Sequence, residues 1–198
     1  MMELNNGIGK FDIILASRSS RRQALLRQLD IKFRVSALDV NEDFPSSLNI
    51  KDVAEYISKK KADAFPKVKM KANTLIISAD TIVAVGQIIL GKPTDDKSAF
   101  QMLQMLSGRT HEVITGVCIR SLNKEVSFSS STQVKFKNLS ENEIRYYIEH
   151  YQPFDKAGSY GIQEWIGKIG VEWIEGSFYN VMGLPIQKLY SELCNFTK

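Results

Sequence analysis

The fold class of this chain is decided near its start, where residues 11–29 read FDIILASRSSRRQALLRQL. The apolar run of residues 11–16 has the length of a strand and is followed at once by polar residues. Ser20 and Gln23 fit the S-x-x-Q capping box, which predicts the start of a helix with leucines at helical spacing on one face. The stretch is therefore predicted to form a strand, a turn and a helix, a unit typical of α/β proteins.

The rest of the chain continues in the same manner, with strand-length apolar runs between segments of helical periodicity. The predicted strands cover residues 75–85, 88–90, 111–119 and 126–136, and the predicted helices cover residues 51–65, 94–106, 140–151 and 186 onward. Residues 153–176 show no clear period. Because no repeat or flexible linker interrupts the pattern, we expect a single α/β domain over residues 1–198, with residues 1–10 as a loosely ordered N-terminal extension.

Composition places the chain among soluble globular proteins. Of its 198 residues, 43% are hydrophobic and 24% are charged, which excludes a disordered chain, a coiled coil and a collagen-like fibre. The net charge of +4 is only a mild bias, and basic residues do not form a stripe interleaved with aromatic ones. We therefore expect no nucleic-acid partner.

Cysteine, histidine and hydropathy patterns exclude further classes. Cys118 and Cys194 lie too far apart for a C-x-x-C motif and are expected to be reduced and buried. His111 and His150 are too few and too scattered for a zinc site or a Ser-His-Asp triad. No secretory signal is recognisable, and the apolar residues 74–90 are interrupted by polar ones, so we expect a cytoplasmic protein with no membrane partner.

The junction of the first strand and helix, residues 17–22, is the first candidate site. Its hydroxyls and the N–H groups of a helix N-terminus suit an anion such as phosphate. Arg21 and Arg22 in the first helical turn oppose the helix dipole, and an anion would offset that cost. The alternative is an ordinary capped surface helix with solvated arginines.

Asp80, inside an otherwise apolar run, is the second candidate. A buried carboxylate must meet a cation, a metal or hydrogen-bond donors, since burying it unpaired is costly. It could serve as a general base or as a magnesium ligand. The alternative is a turn between two strands, for which Ala-Asp-Thr is acceptable.

The third candidate is the glycine-containing segment 155–163, which could approach a ligand closely or could be a plain surface loop. Lys92 lies in a turn, where a lysine is usually solvated. The run Lys59–Lys61 fits a solvated helix face with one member turned inward. Taken together, these residues indicate a domain that binds a phosphorylated ligand with a metal, but they do not name a reaction.

The order of several short motifs along the chain is similar to that of a known protein family. The chain resembles the Maf family of nucleotide pyrophosphatases (septum-formation-inhibitor-like proteins) almost from end to end. The motifs that carry this resemblance are Leu15-Ala16-Ser17 with Arg21-Arg22, Lys61-Ala62, Ala79-Asp80-Thr81, Gly91-Lys92-Pro93, Leu106-Ser107-Gly108, Thr115-Gly116, Asp155-Lys156-Ala157-Gly158, Tyr160-Gly161-Ile162-Gln163 and Gly183-Leu184-Pro185. Each is weak alone, and their joint order is specific.

The resemblance implies an elongated mixed β-sheet flanked by helices, with a cleft between two lobes, as in Maf and ITPase-like proteins. It implies hydrolysis of a nucleoside triphosphate to the monophosphate and pyrophosphate with a divalent metal, Mg²⁺ or Mn²⁺. Asp80 matches the catalytic carboxylate and a metal ligand, and Glu42 lies where a second acidic metal ligand is expected. Residues that match the surroundings of the triphosphate are Ser17, Arg21, Arg22, Lys61 and Lys92.

The resemblance also separates branches of the family. Arg21, Thr81 and Gln163 match the branch of dTTP and UTP pyrophosphatases, whose substrates could include modified pyrimidine triphosphates, rather than the 7-methyl-GTP branch. A glutamine amide can donate to and accept from the edge of uracil or thymine. Four positions depart from the family pattern, namely Arg18, Ser20, Lys60 and Ser78, and the lysine at 60 argues against a second metal contact from that helix. The resemblance also implies a homodimer and leaves open a non-catalytic regulator of cell division.

Overall fold

The computed structural model describes residues 7–198, and within them the chain forms one mixed sheet with helices on its flanks. The strands are β1 (Asp12–Leu15), β2 (Arg34–Val35), β3 (Thr74–Val85), β4 (Ile88–Leu90), β5 (Thr110–Arg120), β6 (Glu125–Phe136) and β7 (Val171–Glu175). The α-helices are α1 (Ser20–Arg27), α2 (Ile50–Asp63), α3 (Asp96–Leu106), α4 (Glu141–Tyr151), α5 (Trp165–Gly170), α6 (Phe178–Val181) and α7 (Ile186–Phe196). Short 3-10 helices cover Ile8–Lys10, Lys67–Lys69 and Ala157–Ser159.

The sheet of the described residues has seven strands in the order β2-β1-β3-β5-β6-β7, with β4 paired to β3. β1 runs parallel to both β2 and β3, whereas β4 is antiparallel to β3 and β7 is antiparallel to β6. The parallel β1–β3 pair is joined through helices, as a parallel connection requires. The predicted α/β class with a mixed sheet flanked by helices is confirmed.

The chain divides into two compact units, and the divisions fall within β3, β5 and β6 and before Gly183. The first unit comprises the described part of Met1–Asp80 with Thr115–Ser130 and Gly183–Lys198. The second comprises Thr81–Ile114 and Ser131–Met182. The expected cleft between two lobes stays a prediction, as does the expectation of one domain over residues 1–198.

Each unit has its own buried apolar core. In the first unit, α2 packs on the central strands, and this core contains Ile14, Ala16, Ala62, Phe65, Met70, Ile76 and Cys118. In the second unit, α3 and α4 pack with strand residues, and this core includes Leu103, Phe136, Tyr147, Tyr160 and Ile162. The helices thus bury their apolar stripes as their periodicity predicts.

The N-termini of the helices differ from the prediction in two places. Ser19, not Ser20, caps α1, because its side chain accepts the Arg22 backbone N–H. The helix predicted to begin at residue 94 begins at Asp96, because Asp95 caps it in a capping box with Ser98. Of the expected loose extension, residues 1–6 lie outside the described residues, whereas Ile8–Lys10 form a 3-10 helix with Ile8 buried. Ser140 caps α4 in a capping box with Glu143, at the start of the helix predicted there.

The segment without a clear period contains regular structure. Residues 153–176 include α5 and β7, which are six and five residues long. The helix α5 is too short to complete two turns, and β7, with apolar residues at 171, 173 and 174, does not alternate strictly. Their presence was therefore not predicted.

Both cysteines are free. Cys118 is buried as expected, and burial raises the pKa of its thiol to about 12, which makes it unreactive. Cys194 is half-buried, contrary to the expectation that both would be buried. Among residues 7–198, no helix has the length and apolar character needed to cross a membrane.

Candidate phosphate-binding and catalytic site

Asp80 lies inside β3, a continuous strand of 12 residues, so the hypothesis of a turn at this position is wrong. The residue is 8% exposed. Its Oδ1 accepts a hydrogen bond from Lys61 Nζ at 2.6 Å. The buried carboxylate therefore has the cationic partner that its burial requires.

Lys61, on the last turn of α2, is the inward member of the lysine run. Its side chain is 16% exposed, whereas that of Lys59 is 44% exposed and pairs with Glu125 at 2.8 Å. Lys61 Nζ also lies 2.7 Å from Glu42 Oε1. One ammonium group thus bridges two carboxylates, those of Glu42 and Asp80, which the sequence separates by a long segment.

Ser17 and Arg22 form a second contact group in the same unit. Ser17 is 7% exposed, and its Oγ accepts from the Ser19 N–H at 3.3 Å and from Arg22 Nη1 at 3.5 Å. Arg22 Nε donates to the carbonyl oxygen of Gly183 at 2.8 Å. The guanidinium is therefore held by a backbone carbonyl and directed toward the loop that precedes α1.

The Arg22 guanidinium interacts electrostatically with the carboxylates of Asp80 and Glu42. Burial lowers the pKa of the Arg22 guanidinium, and the neighbouring charge of Arg21 lowers it further, whereas Asp80 and Glu42 act to raise it. Arginine remains charged under such shifts. Ser17, Arg21, Arg22, Glu42, Lys61 and Asp80 are all in the first unit, and the charges of Arg21, Glu42 and Asp80 all act on Arg22.

The N-terminus of α1 carries cations where a helix prefers anions. The first turn of this helix has no acidic residue and contains Arg21 and Arg22. The dipole makes each such cation unfavourable by a few tenths of a kcal/mol up to about 1 kcal/mol. An anion at this end would reverse the sign of the interaction, so the arrangement favours phosphate binding over a plain surface helix.

The donor set fits a hard divalent cation that shares its coordination with a substrate. Magnesium is commonly held by one or two carboxylates together with substrate phosphates. Asp80 and Glu42 provide two carboxylates, and both contact the Lys61 ammonium. Among residues 7–198 there is no group of three or more His, Cys, Asp or Glu side chains that could hold a metal by themselves. Phosphate oxygens would have to complete the coordination.

The remaining predicted site residues belong to the second unit. Thr81 follows Asp80 directly in β3 and is half-buried, and Lys92 is exposed in the turn after β4. The Gly158 N–H donates to the Gly91 carbonyl at 3.0 Å, so the 155–163 segment is joined to the turn that carries Lys92. Gly158 has a φ of +68°, a conformation that favours glycine.

Gln163 lies just before α5 and is half-buried. Its Oε1 is buried and has no hydrogen-bond partner among the described residues. A buried acceptor without a partner costs about 1–3 kcal/mol. Because this oxygen has no exposed surface, the Gln163 side chain has to rotate before a ligand can donate a hydrogen bond to it, and such a bond would recover that cost.

Comparison with known proteins places the chain in a family. The family model described as Maf-like protein matches residues 12–196, which is most of the chain. The chain belongs to the Maf family. The matched range contains the Lys61–Asp80 pair and the arginines of α1.

Similar curated proteins align along nearly their whole length. A dTTP/UTP pyrophosphatase of Porphyromonas gingivalis is 51% identical over 193 residues, covering 96% of this chain and 97% of the relative. A dTTP/UTP pyrophosphatase of Bacteroides thetaiotaomicron is 51% identical and covers 94% and 96%, and one of Flavobacterium psychrophilum is 49% identical and covers 93% and 94%. A solved structure, that of the Staphylococcus aureus Ham1 protein, aligns with a TM-score of 0.44 at 14% identity over 63% of this chain and 71% of that chain.

Some buried polar contacts near segment 155–163 of this Maf protein were not predicted from the sequence. Lys156 is 8% exposed and contacts Asp155 at 2.6 Å and Glu164 at 3.1 Å, whereas the sequence predicts only that its Asp-Lys-Ala-Gly motif lies in a glycine-containing segment and resembles the family. Tyr147, on α4, donates to the same Glu164. No local signal identifies these partners, because the contacts join segments that are separate in the sequence.

Proposed function

We propose that this Maf family protein hydrolyses dTTP and UTP to the nucleoside monophosphate and pyrophosphate. The observation that carries the proposal is the buried Asp80, which shares the Lys61 ammonium with Glu42 in a unit that also holds the two arginines of α1. The names and the roughly half-identical sequences of the curated relatives support the substrate class.

The triphosphate is bound by the cations and hydroxyl that the family motifs carry. We assign this role to Ser17, Arg21, Arg22, Lys61 and Lys92. Arginine binds phosphate through paired, charge-assisted hydrogen bonds, and lysine acts as a point charge. The N-terminal dipole of α1 adds to the attraction.

Asp80 acts as the general base. It takes a proton from a water molecule, whose oxygen forms the new bond to phosphorus as the anhydride bond between the α and β phosphates breaks. The electron pair of that bond leaves with pyrophosphate. The arginines and Lys61 stabilise the negative charge that develops on the phosphate oxygens, which is a large term in a site with restricted access to water.

Asp80 and Glu42 are the residues that would hold a divalent cation, Mg²⁺ or Mn²⁺. When bound, the ion would polarise the phosphate oxygens and lower the pKa of water. Because Lys61 contacts both carboxylates, its ammonium would be available to the phosphates once a dication neutralises them.

Gln163 and Thr81 are proposed to select the base. The unpaired Oε1 of Gln163 can accept the imide N–H of uracil or thymine, and its amide N–H can donate to a carbonyl oxygen of the same edge. Cytosine has no N–H at that ring position, so it would leave the acceptor unmatched. Such a mismatch costs about 1–3 kcal/mol, or roughly tenfold to hundredfold in discrimination.

We further propose that the protein is a homodimer, on the strength of the family resemblance alone. The cytoplasmic location expected from the sequence also stays a proposal. The oligomeric state can be measured by analytical ultracentrifugation of the purified chain. A sedimentation coefficient that corresponds to a single chain of 22.4 kDa would refute the dimer.

A substrate screen tests the proposed reaction. The purified protein is incubated with Mg²⁺ or Mn²⁺ and each common, methylated or otherwise modified nucleoside triphosphate, and pyrophosphate and orthophosphate are measured separately. We expect pyrophosphate from dTTP and UTP above all others. Binding without any pyrophosphate release would instead support a non-catalytic nucleotide-binding regulator, and a preference for CTP or a purine nucleotide would refute the assigned branch.

A further inference from the structure

Glu164 occupies the N-cap position of α5 but does not cap the helix. Ser, Thr, Asp and Asn are the residues that normally satisfy the free N–H groups at this position. The Glu164 carboxylate makes its contacts elsewhere: Oε1 accepts from Lys156 Nζ at 3.1 Å, and Oε2 accepts from the Tyr147 hydroxyl. The Glu164 side chain therefore binds Lys156 and Tyr147 and does not stabilise the start of the helix.

Tyr147 connects Glu164 to the backbone of the preceding loop. Its side chain, on α4, is fully buried, and its hydroxyl also accepts the Gly161 N–H at 3.0 Å. Burial and the Glu164 carboxylate raise the pKa of Tyr147 well above its usual value, so the hydroxyl keeps its proton and can donate it. One hydroxyl thus holds both ends of Gly161–Glu164, the segment that contains Gln163.

Gly161 brings the Gln163 amide against this backbone. A Cβ at Gly161 would lie 2.8 Å from Glu164 Cδ and 3.0 Å from Gln163 Nε2. The absent side chain therefore lets the amide and the carboxylate pack directly on the loop. Because the Gly161 N–H is held by Tyr147, the surface on which the amide rests is fixed as well.

Lys156 completes the network from the other side of the carboxylate. Its side chain is 9% exposed and lies between Asp155 and Glu164. Two carboxylates hold the buried Lys156 ammonium. Removing this ammonium would leave the Glu164 carboxylate without its cationic partner. Lys156 therefore limits the movement of Glu164 and, through it, of the segment.

We propose that Tyr147 and Glu164, supported by Lys156, are positioning residues that set base discrimination by holding segment Gly161–Glu164 around Gln163. The inference rests on the proposed function, in which Gln163 contacts the base. An amide that can shift can adapt to a second base edge, whereas a fixed amide penalises the wrong base. None of the three residues is assigned a contact with the reacting phosphate.

The test is Tyr147→Phe, which removes the hydroxyl and keeps the buried ring. Steady-state kcat and KM are measured with dTTP and with CTP. We expect KM for dTTP to rise and the dTTP/CTP ratio of kcat/KM to fall by about tenfold, the scale of one buried hydrogen bond, while kcat for dTTP is nearly unchanged. An unchanged ratio would overturn the inference.

Tyr160→Phe is the matched control. Tyr160 is also a buried tyrosine of the second unit, but its hydroxyl contacts His111 Nε2 at 2.7 Å and not Glu164. We expect this variant to keep the dTTP/CTP ratio of the unmodified protein. An equal fall in both variants would show that any lost buried hydroxyl relaxes selectivity, and would refute a specific role for Tyr147.

Variants at Glu164 provide a test that does not depend on Tyr147→Phe folding. Glu164→Gln keeps an oxygen that can accept the Tyr147 hydrogen bond, whereas Glu164→Ala removes it. We therefore expect Glu164→Gln to retain more of the dTTP/CTP ratio than Glu164→Ala. Equal ratios in the two variants would contradict the positioning role.

Gln163→Ala separates failure of this inference from failure of the proposed function. If Gln163→Ala leaves the ratio unchanged, the base-contact role of Gln163 is wrong and the positioning role falls with it. If Gln163→Ala lowers the ratio and Tyr147→Phe does not, only the positioning role is wrong. If Tyr147 acts through Gln163, the double variant Tyr147→Phe with Gln163→Ala shows the same dTTP/CTP ratio as Gln163→Ala alone. An additive loss would refute an action of Tyr147 through Gln163.

Discussion

Replacing Asp80 by Asn changes the charge of the candidate base while preserving its shape. Asp80 is 8% exposed and accepts from Lys61 Nζ at 2.6 Å. Lys61 keeps its second carboxylate partner, Glu42 at 2.7 Å, so its ammonium is not left without a counter-charge. We therefore expect the Asp80→Asn protein to fold and to bind dTTP.

The size of the effect follows from the two roles assigned to Asp80. Loss of a general base costs typically 10²–10⁴-fold in rate, or about 3–5 kcal/mol of barrier. Loss of one of the two carboxylates proposed to hold the metal adds to this cost. Turnover of dTTP by Asp80→Asn should therefore fall by at least about a hundredfold.

The assay is pyrophosphate release from dTTP at saturating Mg²⁺, with binding measured separately by calorimetry and folding by thermal unfolding. Asp39→Asn is the matched control, because Asp39 is an exposed carboxylate of the same unit that pairs with Arg18 at 2.9 Å. The control should retain nearly full activity. A loss at Asp80→Asn of less than about tenfold, or 1.4 kcal/mol, would mean that Asp80 has a structural role only.

Three further predictions concern triphosphate binding, base choice and pH. Arg21→Ala should raise KM for dTTP more than Arg18→Ala, since Arg18 is engaged in an exposed ion pair; equal increases would indicate a diffuse attraction instead. Gln163→Glu should lower kcat/KM for dTTP and UTP together, because a carboxylate replaces the amide donor; a loss for one of them alone would contradict shared recognition. Burial lowers the pKa of His111 to about 4 from 6.5, so the unfolded state binds the extra proton first as pH falls. The free energy of unfolding, measured in urea, should therefore decrease from pH 6.5 toward pH 4 by up to about 3 kcal/mol from this residue, and a His111→Gln variant with an equally steep pH profile would refute this origin.

The local elements were largely predictable. The first strand and helix, the long strands β5 and β6, and α4 lie close to their predicted positions, because period and length are short-range signals. The cap of α1 was misplaced by one residue, since adjacent serines at 19 and 20 offer equivalent hydroxyls and only the backbone conformation selects Ser19.

The candidate site was predictable in its residue types but not in its contacts. The sequence alone showed a carboxylate in an apolar strand, arginines at a helix start and a lysine run, and the family motifs named Asp80 and Lys61 among them. It could not show which lysine turns inward or that one ammonium bridges Asp80 and Glu42. Those facts depend on where α2 and the segment before it pack against β3.

The sequence by itself determined the α/β class, most element boundaries and the family, because each rests on patterns within a few residues or on motif order along the chain. Only the tertiary structure decided that the residue at 164 contacts Tyr147 and Lys156 instead of capping α5, and that Gln163 keeps a buried, unpaired oxygen. The physical reason is the distance along the chain over which each kind of information acts. Periodicity records which face of an element is buried, whereas the partner of a buried polar group is supplied by another element, here 17 residues away for Glu164 and 19 for Asp80.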